Sequence, residues 1–112
     1  MEKLKRYSEA IVTVLKEYIH EHLQNNIEEH LLTDFEHGYF QVLRTGWADK
    51  NTFRMGILLH FQLKTDGKIW ILANWTEDDV AKALVDLGVD KKDIVLGFQP
   101  ESIRPYSGYA VA

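Results

Sequence analysis

Residues 52–75 read TFRMGILLHFQLKTDGKIWILANW, and the fold is decided there. From Phe53 onward, Phe53, Met55, Ile57, Leu59, Phe61 and Leu63 fall on one side of an extended chain. Arg54, Gly56, Leu58, His60, Gln62 and Lys64 fall on the other. Alternation of period two over this length predicts a strand with one buried face. Asp66-Gly67 then supplies the pair that best tolerates the positive backbone angles of a tight two-residue turn. The chain returns from Lys68 to Trp75, with Ile69, Ile71, Ala73 and Trp75 completing the buried face. The expectation is a β-hairpin on which the rest of the chain is built.

On the N-terminal side, residues 2 to about 25 predict an amphipathic helix. Leu4, Tyr7, Ile11, Val14, Leu15, Tyr18, Ile19 and Leu23 recur at steps of three and four, and most of the charged residues fall opposite. Asn25-Asn26 is the expected stop. Leu31 to Glu36 reads as a short strand, His37-Gly38 as a turn, and Tyr39 to Trp47 as a second strand. That strand places Tyr39, Leu43 and Trp47 on one face and Phe40, Val42 and Arg44 on the other; both faces are partly apolar, so its orientation stays open. Residues 48–51 form a polar loop into the hairpin.

On the C-terminal side a helix is expected from Thr76, whose hydroxyl can cap the amide of Asp79. Glu77, Asp78 and Asp79 suit the positive end of the helix dipole, and Gly88 suits a C-cap. Ile94 to Phe98 is too apolar for a surface loop. The tail from Arg104 to Ala112 ends apolar and is expected to pack. Together these elements predict an α+β fold: an antiparallel β-meander of about four strands, with an N-terminal helix and C-terminal helices packed on one face.

The totals narrow the function. The chain has 112 residues, 46% of them hydrophobic, and thirteen aromatic residues, enough for one domain with its own core. Net charge is −4, which gives no global pull toward nucleic acid or anionic membrane. There is no cysteine, hence no disulfide, thiolate nucleophile or cysteine metal site. No signal peptide or bilayer-spanning run is present in the sequence, so a cytoplasmic protein with no membrane association is expected.

From Tyr39 onward the chain resembles the XisI family, the fdxN element excision controlling factors of cyanobacteria. The resemblance rests on Tyr39, Thr45-Gly46-Trp47, Gly56 with His60, and Asp66-Gly67-Lys68-Ile69-Trp70-Ile71. It continues through Thr76-Glu77, Leu84-Val85, Gly88-Val89 and Lys92-Asp93-Ile94-Val95-Leu96-Gly97-Phe98. It closes on Pro100, Arg104-Pro105-Tyr106 and Ala110-Val111-Ala112. The N-terminal helix fits the same family with less distinctive residues. The resemblance implies a small α+β protein acting with an XisH-like protein and a site-specific recombinase in the programmed excision of a DNA element during heterocyst differentiation. The family brings no catalytic residues to transfer. The chain departs from the family pattern after Trp70, where Leu72 and Asn74-Trp75 replace a glutamine and an acidic or small polar residue; this bears on the choice of partner.

Three functional constellations can be weighed. Opposite the predicted core, Leu58, His60, Trp70 and Leu72 should lie together, a composition that suits a partner or self interface, a homo-oligomer included, unless the helix or tail covers it. Arg54, Lys64 and Lys68 beside Trp70 could instead meet phosphates and stack a base, although the acidic balance and the missing ribonucleoprotein-type aromatic motif weigh against direct nucleic-acid binding. Arg104 and Tyr106 are expected to anchor the tail, Arg104 by pairing with a carboxylate, and that residue pair also suits an interface hot spot.

Catalysis finds little support. His20, His22, His30, His37 and His60 include no helical His-x-x-x-His pair, so no metal is expected. Asp34, Glu36, Asp66 and Lys68 match no two-carboxylate metal site. The serines lie in no nucleophile elbow, and the glycines form no phosphate-cradling loop. The reading is therefore non-enzymatic, with no catalytic residue and no cofactor.

Overall fold

The computed structural model describes residues 2–20 and 26–112. Helix α1 spans Glu2–Lys16 and is followed by strands β1 (Glu28–Asp34), β2 (Tyr39–Trp47), β3 (Phe53–Leu63) and β4 (Ile69–Asn74). Helix α2 (Val80–Asp86), a 3-10 turn at Lys91–Asp93, strand β5 (Ile94–Leu96) and a second 3-10 turn at Arg104–Tyr106 complete the chain. The sheet has five strands in the order β1-β2-β3-β4-β5. The first four pair antiparallel and β5 joins β4 in parallel. The fold is α+β as expected, with one strand more than the four expected. Ile94–Leu96 supplies it, because the α2 crossover returns this apolar run parallel to β4.

The core lies on one side of the sheet. Tyr7, Ile11, Val14 and Leu15 of α1 and Val80, Ala81 and Leu84 of α2 pack on Phe40, Val42, Leu59, Phe61, Ile69 and Ile71. Phe40, Phe61, Leu59, Ile69, Ile71, Ile11, Leu15 and Leu84 are fully buried. Tyr7 closes the end of this layer: its hydroxyl donates to Asp93 Oδ2 at 2.6 Å and accepts from the Asp90 amide at 3.3 Å. Lys3 Nζ meets the same carboxylate at 2.9 Å.

Several local expectations are corrected. Helix α1 stops at Lys16, not near Asn25. The amides of Glu17, Tyr18 and Ile19 bond back three residues instead of four, which tightens the last turn and ends it. Tyr18 is then tied to Asp78 Oδ2 (2.7 Å) and His20 to Glu29 Oε1 (2.8 Å), so the chain leaves the helix axis. The expected contribution of Leu23, the stop at Asn25 and the position of His22 lie outside the described residues. Strand β1 begins three residues before the expected Leu31 and ends at Asp34, and Phe35 to Gly38 make the turn. In the hairpin turn, Lys64 and Lys68 form the closing pair around a three-residue loop with Gly67 at φ 89°, not a two-residue turn. Asp79, not Thr76, caps α2, accepting from the Lys82 amide at 3.0 Å; Thr76 Oγ1 accepts from the Asp78 amide one turn earlier.

The largest correction concerns the central hairpin. Val42 pairs with Leu59, but Leu43 pairs with Ile57, so Leu58 is an extra residue in β3. Such a bulge reverses which side the alternation faces beyond it. Residues directly opposite in an antiparallel pair share a side. Leu43, Thr45 and Trp47 therefore carry Ile57, Met55 and Phe53 with them to the face away from the helices. A second bulge in β4, with His60 opposite Ala73 and Phe61 opposite Ile71, leaves Leu72 as the extra residue there. Phe53 (51% exposed), Met55 (69%) and Ile57 (44%), all expected inside, stand in solvent, as does Trp75 (79%). The Leu58 bulge gives the reason: it turns the alternating apolar residues before it to the side away from the helices, which therefore cannot cover them.

Candidate protein-docking face

The face opposite the helices is built from cross-strand rows. Trp47 stands beside Phe53, Thr45 beside Met55, and Leu43 beside Ile57. Leu32 extends the surface onto β1 opposite Gln41, and Tyr39 lies opposite Gln62. No α-helix of the described residues crosses this side. Leu32, Tyr39, Trp47, Phe53, Met55 and Ile57 each leave more than two-fifths of their surface in solvent. Trp47 and Phe53 meet edge to face with centroids 5.1 Å apart, which fixes both rings at the far end of the hairpin.

Polar groups near the centre of this face bond to one another. His60 Nδ1 lies 3.1 Å from Gln41 Oε1, and its ring stacks on Tyr39 at 6.1 Å. Burial pushes the His60 imidazole below its ordinary value, so it is neutral at pH 7. His30 Nε2 contacts Thr45 Oγ1 at 3.1 Å. The paired rows Leu43–Ile57, Thr45–Met55 and Trp47–Phe53 of β2 and β3 thus contain no charged side chain.

The structure separates the residues the sequence grouped together. His60 lies on this face. Leu58, the bulge residue, is half-buried and packs against the core on the helix side. Trp70 and Leu72 lie at the β4 end, where the tail covers the sheet; a Cβ on Gly97 would crowd both side chains. Val95 is fully buried there and bridges Ala110. Two cations sit over the Trp70 ring, Lys64 Nζ at 4.2 Å and the Arg104 guanidinium at 5.2 Å. Arg104 also donates to Gln99 O (3.2 Å) and Val111 O (3.4 Å), so carbonyls and an indole take the place of the expected carboxylate. Lys68 Nζ donates to Ala112 O. Tyr106 is 86% exposed and makes no such bond. Arg54 pairs with Gly46 near the opposite end of β3, ten residues or about 33 Å of strand from Lys64. The three basic residues considered for nucleic acid are therefore not one patch.

Trp70 organises the tail, and its removal has a defined consequence. Trp70→Ala takes away the surface under Arg104, so exchange or proteolysis of residues 98–112 should rise several-fold. Trp70→Phe keeps an aromatic ring, though a smaller one, and deletes an indole N–H that is buried without a protein partner. It should be close to neutral in thermal unfolding.

On the helix side of the far hairpin, Ile27, Arg44, Gly46, Arg54, Gly56 and Leu58 line a shallow groove of about 370 Å³. At its edge Glu29, whose side chain is fully buried, accepts from Arg44 Nη2 at 2.6 Å and from the backbone and ring nitrogens of His20. Burial pushes the Glu29 carboxyl up, but the bonds from Arg44 and His20 outweigh it and hold it below the usual carboxylate range. Asp93 has the same balance: burial raises it, while Tyr7 and Lys3 prevail and lower it. A carboxyl lowered in the folded state stabilises fully above its unfolded value, near 4. That stability is lost as pH falls through the folded value. Thermal midpoints measured from pH 7 down to pH 3 should therefore fall below about pH 4.5, and Asp93→Asn should show a smaller acid-induced drop than the parent chain.

Among the described residues no three His, Asp or Glu side chains converge to hold a metal ion, and no helix is long and apolar enough to cross a membrane. The fold and this face define a class: small α+β proteins in which two helices cover one side of a meander and leave an apolar strip of the other side open. The chain belongs to the XisI protein family, which matches residues 1–111. Among solved structures it is similar to an XisI-like protein from Anabaena variabilis ATCC 29413, with 34% identity and a TM-score of 0.88 over 97% of this chain and 99% of that one. It is also similar to the fdxN element excision controlling factor XisI of the same organism, with 28% identity and a TM-score of 0.83 over 98% and 99%. No curated protein matches.

Proposed function

We propose that the chain is a non-enzymatic controlling factor of the XisI kind. It works in the cytoplasm by protein contact with an XisH-like protein, with a site-specific recombinase, or with both. Its setting is the programmed excision of an fdxN-type DNA element, as in heterocyst-forming cyanobacteria. Membership of the XisI family and the likeness to an excision controlling factor support the setting. The observation that carries the mode of action is the open sheet face running from Leu32 and Tyr39 to Trp47, Phe53, Met55 and Ile57, which no α-helix of the described residues crosses. Exposed apolar surface of this extent in a small protein marks association. Direct nucleic-acid binding is disfavoured by the separation of Arg54 from Lys64 and Lys68, and by the two cations already over Trp70.

The test is co-expression with an XisH-like protein encoded beside this chain. The two should elute together from a sizing column and remain together in high salt, as an apolar contact does. Separate elution at every salt concentration removes the adaptor reading. A mobility shift of bare DNA whose affinity falls steeply with salt would replace it with the nucleic-acid reading.

A further inference from the structure

We propose that the outer face of the far β2–β3 hairpin is a self-interface: two copies of this chain meet sheet to sheet through Trp47, Phe53, Met55 and Ile57. This rests on the reading above, that the open face docks protein, and names the occupant of its far half. Area is the first argument. Taking full side chains on the order of 200 Å², the exposed fractions of Trp47, Phe53, Met55 and Ile57 leave about 420 Å² of apolar surface at the far end, and Leu32 and Tyr39 bring the whole face to about 600 Å². That is the upper limit for the largest patch of an ordinary monomer. Half-buried Leu43, Thr45 and His60 on the same face bring it toward the roughly 800 Å² per partner of a stable interface.

Charge and shape choose a second copy over an unlike partner. The chain carries net charge −4, so two copies approach against mutual repulsion unless the meeting surfaces lack carboxylates. The rows Leu43–Ile57, Thr45–Met55 and Trp47–Phe53 contain no charged side chain, and His60 beside them is neutral. The nearest carboxylate on this face, Glu28 opposite Thr45, already faces His30 at 3.6 Å. A charged partner would find only Glu28, at the β1 edge of the strip, to pair with, whereas the same strip turned through a two-fold axis meets an equally uncharged centre. Two sheet faces that stack about 10 Å apart interleave such rows, as in β-sandwiches. Aromatic rings and methionine without lysine or glutamate are the composition of an interface centre.

Light scattering of the purified chain tests this, beside the variants Met55→Asp and Ile57→Asp. The parent should have twice the 13.0 kDa of the monomer at tens of micromolar. Each variant should weaken self-association by at least about thirty-fold while keeping the parent thermal midpoint when both are diluted to monomer. A parent that stays monomeric up to high micromolar concentration overturns the proposal. So does a dimer that survives both substitutions, because the copies then meet elsewhere. Adding the XisH-like protein to the parent separates this result from the adaptor reading, which fails only if the parent forms no complex with it; the variants, altered on the shared face, serve the self-association test alone.

Discussion

Phe61→Ala should cost the fold about 3–5 kcal/mol, whereas Phe53→Ala, eight residues earlier on the same strand, should cost about 1 kcal/mol or less. Phe61 is fully buried in the core opposite Phe40 and Ile71, so its loss leaves a cavity in the helix-side core. Phe53 is 51% exposed and loses mainly its edge contact with Trp47. The measurement is chemical unfolding of both variants against the parent, with a drop in thermal midpoint of more than about 10 °C for Phe61→Ala. Equal costs at the two positions would mean that the alternation runs unbroken and that the Leu58 bulge does not divide the strand.

The second large effect lies at the turn between β1 and β2. Gly38 has φ 77°, a conformation that a side chain resists, and a Cβ there would collide with the carbonyl oxygen of Leu63. That same backbone is locked on both sides: the Gly38 amide donates to Asp34 O at 2.8 Å, and Gly38 O accepts from the Leu63 amide at 2.7 Å. Gly38→Ala must break this arrangement to relieve the collision. It should cost more than about 2 kcal/mol, combining left-handed strain with lost hydrogen bonds. Gly56→Ala is the control, since its Cβ would meet nothing within 4 Å and its φ is not in the left-handed region. Unfolding curves should place Gly56→Ala within about 1 kcal/mol of the parent.

These contrasts locate what a reader of the sequence can and cannot see. Local chemistry was legible: Gly88 does end α2 with φ 101°, Asp66 does sit in the hairpin turn, and β2 runs from Tyr39 to Trp47 as its pattern says. The family was legible as well, through motifs spread along the chain. The outer face was not, because it depends on one unpaired residue. Nothing in the run Ile57-Leu58-Leu59 announces that Leu58 is extra; all three are apolar, and either phase of the alternation fits them. Choosing the phase from Leu59 to Leu63 and extending it backward sends Phe53, Met55 and Ile57 inward, and the interface is then sought at Leu58, Trp70 and Leu72. One signal pointed the other way: Trp47 shares a face with Leu43 in β2, and the β3 residues paired with them follow to the same side.

The central claim is that association takes place through this open face. Hydroxyl-radical footprinting tests it directly, comparing the chain diluted to monomer with the chain in its associated form. Labelling of Trp47, Phe53 and Met55 should drop several-fold on association, while Tyr106, 86% exposed and held on the tail, keeps its reactivity as the internal reference. Unchanged labelling of those three side chains in an assembly that demonstrably forms would contradict the account and place the contact on another surface.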